Sequence, residues 1–145
     1  MQNDHNFFMR KCLELAGKAK RNGKTGVGSL IVRGRQILGE GEEGGHELPA
    51  HMAHAELLAI NHAIQSGGKS DLSDCILYTT VEPCVMCSYI IRNTRISYVV
   101  IGASTGGVGG VSSRYPILIA DDIAAWGKPP SVLLNILEEE CQRAV

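Results

Sequence analysis

The 145-residue chain has no excess of charge of either sign: 14 Lys and Arg face 15 Asp and Glu, a formal net charge of -1 at pH 7. Such a balance carries no electrostatic signature that demands a polyanion partner. Long hydrophobic runs are missing too. Asp4, Arg10, Lys11, Glu14, Lys18 and Lys20 interrupt the start of the chain, and no later stretch approaches the ~20 apolar residues of a bilayer span, so no membrane association is expected. No secretory signal pattern accompanies the five cysteines (Cys12, Cys75, Cys84, Cys87, Cys141), which speaks against a disulfide framework and for a cytoplasmic location. There is no internal repeat with a period of 20 to 50 residues. What remains is globular composition, 44% hydrophobic and 20% charged, over a length that fits one domain spanning residues 1–145.

Apolar residues Phe8, Cys12, Leu15, Ala16 and Ala19 fall on one helical face, predicting a helix over 7–20 that stops at Asn22-Gly23. Segments 27–32 and 36–39, separated by Arg33-Gly34, are expected to form a β-hairpin, followed by a glycine-rich loop over 39–45. A helix over 53–64 ends at Ser66-Gly67-Gly68, and 75–81 is β-branched and aromatic enough for a buried strand. Pro83 suits the start of a helix over 84–93, and 96–101 completes another strand. Residues 102–110 form a glycine-rich linker of no predictable conformation, and a last helix is expected over 131–143 with Ser131 as N-cap. Strands alternating with helices imply an α/β fold. The expected form is a three-layer α/β/α sandwich around a mixed, mostly parallel sheet of about five strands.

The chemistry concentrates at two helix starts. His54-Ala55-Glu56 opens one helix, and Pro83-Cys84-Val85-Met86-Cys87 opens the next directly after a buried strand. Cys84 and Cys87, three residues apart, share a face of a first turn whose N–H groups and dipole favour thiolates. With one imidazole they make three ligands for zinc and leave a fourth tetrahedral position open, the arrangement of a catalytic site. Glu56, two residues from a ligand, is placed to shuttle protons without entering the coordination sphere. The competing interpretation is a closed structural site with His51, His62 or Cys75 as fourth ligand. A disulfide-exchange CxxC fits poorly beside a ligand-like histidine. His46 and His51 lie in the loop before the zinc helix, His62 is expected half-buried in a structural role, and Cys12, Cys75 and Cys141 occupy apolar positions.

His-Ala-Glu at 54–56 followed by Pro-Cys-Val-Met-Cys at 83–87 resembles the signature of the zinc nucleobase deaminases. The chain is similar to the cytidine-deaminase-like superfamily, in the branch holding tRNA adenosine deaminases, guanine deaminases and fungal cytosine deaminases. TGVGSLIV (25–32), GEGEE (39–43), MAHAELLAI (52–60), LYTTVEPCVMC (77–87) and VVIGA (99–103) carry the likeness, which thins after Gly110. It implies zinc on His54, Cys84 and Cys87, Glu56 as the catalytic proton shuttle, and hydrolytic replacement of an exocyclic amine by a carbonyl with release of ammonia. It also implies substrate contacts from Ala55 and the position of Glu43, an aromatic lid for which Trp126 is the candidate, and a homodimer.

The substrate expected from these residues is a small amino-substituted heterocycle: guanine, cytosine or an amino-triazine as free base. Many relatives have asparagine where Glu43 stands, and a carboxylate facing the pocket would only accept hydrogen bonds, favouring a ring rich in N–H groups. The alternative is that Glu42 and Glu43 point to solvent. Trp126 serves equally as a packing residue. The tail is acidic (Asp121, Asp122, Glu138, Glu139, Glu140 against Lys128 and Arg143), offering little phosphate neutralisation, so nucleic acid is the less favoured partner. Two other functions stay open: tRNA adenosine-to-inosine deamination, and a non-catalytic zinc-binding subunit, which would have no need of Glu56.

Overall fold

The computed structural model describes residues 2–145, with side chains from residue 4 onward. Helix α1 (Gln2–Arg21) buries Phe8, Cys12, Ala16 and Ala19, a near i, i+4 stripe, and starts earlier than the pattern predicted. The chain then enters β1 (Gly28–Arg33), turns at Gly34, and returns as β2 (Gln36–Glu42). Helix α2 (Ala55–Gly67) closes on Gly68, whose left-handed conformation (φ 71°) lets its N–H reach the Ile64 carbonyl at 2.8 Å. Strand β3 (Ile76–Val81), helix α3 (Val85–Asn93) and strand β4 (Tyr98–Ala103) follow, then β5 (Ser131–Leu133) and α4 (Glu138–Ala144).

The five strands form one sheet in the order β2-β1-β3-β4-β5. β1 runs antiparallel to both β2 and β3, while β3, β4 and β5 are mutually parallel. Alternate strand residues feed two cores. Ile31, Leu77, Val99 and Ile101 pack with Ala59, Ile60 and Ile91 on the α2/α3 side. Leu30, Val32, Tyr78 and Val100 pack with Phe8, Met9, Cys12 and Cys141 on the α1/α4 side. This is the expected three-layer α/β/α sandwich with a mixed five-stranded sheet. No helix is long and apolar enough to cross a membrane among the described residues.

Three expectations need correction. The predicted loop over 39–45 is strand as far as Glu42. Its glycines are there because α2 lies directly on β2: a Cβ on Gly41 would stand 2.1 Å from the Ala55 carbonyl oxygen, and one on Gly39 2.2 Å from that of Ala59. The predicted last helix over 131–143 is a strand, a turn and a shorter helix. Ser131, Val132 and Leu133 pair with Tyr98, Val99 and Val100 at the sheet edge, and left-handed residues Asn135 and Leu137 redirect the chain before Glu138. His62 is exposed rather than half-buried, with its Nδ1 accepting the Glu40 N–H at 3.1 Å.

Candidate active site

Parallel strands deliver their following segments to their carboxyl ends, and the site lies there, where β3 hands over to α3. His54 and Cys84 are the N-cap residues of α2 and α3, so two helix starts meet with their free N–H groups and positive dipole ends together. Cys87 follows one turn into α3 and is fully buried. The Nδ1 of His54 stands 3.5 Å from the Sγ of Cys84 and 3.5 Å from the Sγ of Cys87. A tetrahedral zinc with bonds of ~2.0 Å to nitrogen and ~2.3 Å to sulfur sets those atoms about 3.5 Å apart, so the three residues fit zinc. His51, His62 and Cys75 do not join them: the cluster of metal-ligating groups among the described residues is His54, Cys84 and Cys87 alone. This is the open, three-ligand arrangement.

The electrostatics suit a cation. The Cys87 thiol hydrogen-bonds Cys84, which, against the opposing effect of burial and with help from the amides of Cys87 and Met86 and from His54, brings Cys84 down to about 5. Cys87 is pushed far up by the same hydrogen bond and by burial. One sulfur is therefore ready as thiolate, and the other would release its proton when a metal ion binds in its place.

Glu56 lies in the first turn of α2 and lines the same cavity of about 200 Å³ as His54 and Cys84. It is only 4% exposed, and burial pushes its carboxyl up to about 8. A carboxyl poised there both holds and releases a proton near neutrality. Glu43 lines this cavity as well instead of pointing to solvent, with its Oε1 accepting the Ala55 N–H at 3.2 Å. Burial raises its pKa, with His54 and the Ala55 amide opposing. Ala55 is fully buried and contributes its backbone to that bond. Trp126 is not brought here. It packs near the other end of α3, edge-on to Tyr89 and 5.1 Å from the guanidinium of Arg92, which donates to the carbonyls of Ile117, Leu118, Ala120 and Gly127.

Glu82 and the segment it holds were not singled out in the sequence. This carboxylate, 3% exposed at the end of β3, accepts from the Thr105 N–H (3.2 Å), the Val111 and Ser112 N–H groups (2.7 Å each) and the Ser112 hydroxyl (2.6 Å). Burial opposes its charge, but these donors outweigh it and hold the carboxyl below its ordinary range. The glycine-rich segment is thereby fixed beside Cys84: the Val85 N–H bonds the Val108 carbonyl at 2.9 Å, and Thr105 and Val108 become a cavity wall. An acid immediately before the Pro-Cys start of a ligand helix was the available signal.

Comparison with known proteins agrees with this geometry. Residues 2–103 match the family model of the cytidine and deoxycytidylate deaminase zinc-binding region. A tRNA-specific adenosine deaminase of Streptococcus pyogenes serotype M1 is 39% identical over 115 residues, covering 79% of this chain and 67% of the relative. Among solved structures, one from studies of A-to-I editing by tRNA:A34 deaminases at the wobble position superposes with a TM-score of 0.87 at 27% identity, covering 96% of this chain and 99% of that one. A guanine deaminase from Bacillus subtilis gives 0.65 at 35% identity, over 69% of this chain and 64% of that one.

Proposed function

Since this chain belongs to the cytidine and deoxycytidylate deaminase family, we propose that it deaminates adenosine in tRNA to inosine, with Glu56 as the catalytic proton carrier and His54, Cys84 and Cys87 as the zinc ligands. The chemistry rests on one observation: a buried carboxyl, Glu56, lines a single cavity with His54 and Cys84, two of the three clustered residues that fit zinc. The choice of substrate rests on the likeness to tRNA-specific adenosine deaminases, at 39% identity over most of the chain. That likeness outweighs the neutral charge and acidic tail, from which a free base was expected.

Bound at these ligands, zinc supplies Lewis acidity that lowers the pKa of water to about 7. Glu56 would accept the proton that water gives up and pass it to the ring nitrogen beside the carbon under attack, then take the second proton from the newly added hydroxyl and deliver it to the departing amine. A C–O bond forms, a C–N bond breaks, water is consumed and ammonia leaves. The raised pKa of Glu56 suits this traffic, because the group must pick up and return a proton in each turnover. Val81 and Val108 keep the walls apolar, and Ala55 holds Glu43 in place.

A second reading is favoured by Glu43. Its carboxylate faces the cavity and only accepts hydrogen bonds, which suits an N–H-rich free base such as guanine. A non-catalytic zinc subunit is disfavoured by the placement of Glu56. The proposal includes a homodimer, supported by the exposed apolar side chains of Met86 and Tyr89, one turn apart on α3; sedimentation as a monomer would remove this part. The functional test is ammonia release by zinc-loaded protein from an anticodon stem-loop, adenosine, adenine, guanine and cytosine. Turnover of the stem-loop supports tRNA editing; turnover of free bases alone overturns it in favour of the second reading.

A further inference from the structure

Next to the catalytic cavity is another, of about 400 Å³, between the loop joining α1 to β1 and the loop after β2. Thr25 and Glu43 line both cavities, so the two adjoin at these residues. The two differ in character. The first is lined by the acids Glu43, Glu56 and Glu82, by His54 and Cys84, and by valines; the second is lined by Lys24, His46, Gly44 and Gly45, with Glu43 as its one acid.

Lys24 is set into this wall by packing. Gly44 has φ +80°, and the Cγ, Cδ and Cε of Lys24 lie over it so closely that a Cβ there would meet them at 2.6, 2.8 and 3.0 Å. Neighbouring cations are already engaged: Lys18 pairs with Glu42 at 3.2 Å, and Lys20 donates to the Val145 carbonyl. Lys24 has no carboxylate within ion-pair distance among the described residues. The one acid lining the second cavity, Glu43, stands at the border with the catalytic cavity and is tied to the Ala55 N–H. A lysine ammonium, an imidazole and a threonine hydroxyl around one hollow form a set of donors for a compact anion.

We propose that the second cavity is a phosphate subsite, in which Lys24, with His46 and Thr25, holds a phosphate of the nucleotide whose base occupies the catalytic cavity. This rests on the deaminase chemistry of the adjoining cavity and does not depend on the nucleotide being part of tRNA. A free nucleoside monophosphate and an RNA phosphodiester share the required chemistry. The subsite makes a bare base the weaker ligand, although the overall charge of the chain is near zero.

The test uses the full chain loaded with zinc. Binding is read by calorimetry and fluorescence anisotropy on a Glu56→Gln background, which removes turnover, with adenosine, adenosine 5′-monophosphate and a tRNA anticodon stem-loop as probes. Steady-state kinetics with Glu56 intact run in parallel. Lys24→Ala is expected to weaken the phosphate-bearing probes about tenfold, the loss of one charge-assisted hydrogen bond, with adenosine unchanged. Lys24→Arg restores most of the affinity, and Thr25→Val gives a smaller loss in the same direction. The dependence of stem-loop affinity on salt should fall by about one phosphate contact. Equal losses on adenosine and on its monophosphate, or no loss on any phosphate-bearing probe, overturn the subsite. Stem-loop turnover indifferent to Lys24 removes the subsite and leaves the tRNA reading standing. An inert stem-loop with Lys24-dependent binding of the monophosphate removes the tRNA reading and leaves the subsite. Turnover of free bases alone, indifferent to Lys24, removes both.

Discussion

Gly109 approaches Glu82 so closely that a Cβ on it would stand 2.3 Å from the carboxylate Oε2. The closeness follows from the four donors that Glu82 collects from Thr105, Val111 and Ser112. The carboxylate thus acts as a template around which an otherwise unstructured glycine-rich segment is laid next to Cys84, with Gly109 forming a bridge to it.

Glu82→Gln tests this template. An amide turns one acceptor oxygen into a donor that faces N–H groups, leaving buried donors unmatched at a cost of about 2 kcal/mol. The variant should melt lower, retain zinc, and show a raised KM with a smaller change in kcat, because the wall carrying Thr105 and Val108 loosens. Calorimetry, metal analysis and steady-state kinetics read the three effects. Unchanged KM with a lowered melting temperature would reduce Glu82 to a purely structural residue.

Replacing Glu56 with Gln keeps the shape of the side chain and removes the proton carrier. Loss of a positioned general acid–base typically costs between ~10² and ~10⁴ in rate, and zinc content should stay at the wild-type level because Glu56 is outside the ligand cluster. Metal analysis beside an ammonia assay separates this from His54→Ala, which should lose zinc and activity together. Full activity in Glu56→Gln would remove the mechanism.

The metal ligands were legible because their evidence is local: His54 and Cys84 cap helices whose starts are written in the chain, and Cys87 follows by one turn. So was the three-layer arrangement, from strands alternating with helices; the structure adds that Leu30, Ile31 and Val32 alternate between two cores as strand residues must. Val132, Leu133, Ile136 and Leu137 misled because their spacing also fits a helix. The open edge of β4 took Val132 and Leu133, a long-range pairing that no local period reports. The order of residues 104–112 was hidden for the same reason, since it depends on a carboxylate over twenty residues away in the chain. For Trp126 the sequence left a lid and a packing role equally open, and the structure shows it packed on Tyr89 and Arg92, whose guanidinium gathers the carbonyls of its segment.

The contact between α2 and β2 predicts contrasting effects for two Gly→Ala changes. Gly41→Ala drives a methyl into the Ala55 carbonyl and Leu58, and should destabilise by about 1–3 kcal/mol as an overpacked core position. It should also weaken zinc retention, because Ala55 adjoins His54. Gly67→Ala, near the end of α2 with open space around it, should be neutral or stabilise by up to about 1 kcal/mol through reduced freedom of the unfolded chain. Denaturant titrations of both proteins check the contrast, and equal stability would refute the packing argument.

His5 provides a pH-dependent contribution to stability remote from the zinc site. Its Nδ1 lies 2.9 Å from the Tyr78 hydroxyl and its Nε2 3.4 Å from that of Tyr98, inside the α1 side of the sheet. Burial lowers the imidazole pKa below its ordinary 6.5. Burial also pushes the Tyr78 hydroxyl up to about 12, so it keeps its proton throughout the relevant range. Above pH ~6.5 the histidine is neutral in folded and unfolded chains alike and adds no pH dependence. As pH falls below that value the unfolded chain takes up the proton first, and stability declines until the depressed folded pKa is passed. His5→Gln retains hydrogen-bonding groups without a titrating ring. Between pH 7.5 and 5.5 the wild-type melting temperature should therefore drop further than that of His5→Gln, whereas parallel drops would show that protonation of His5 costs the folded state nothing.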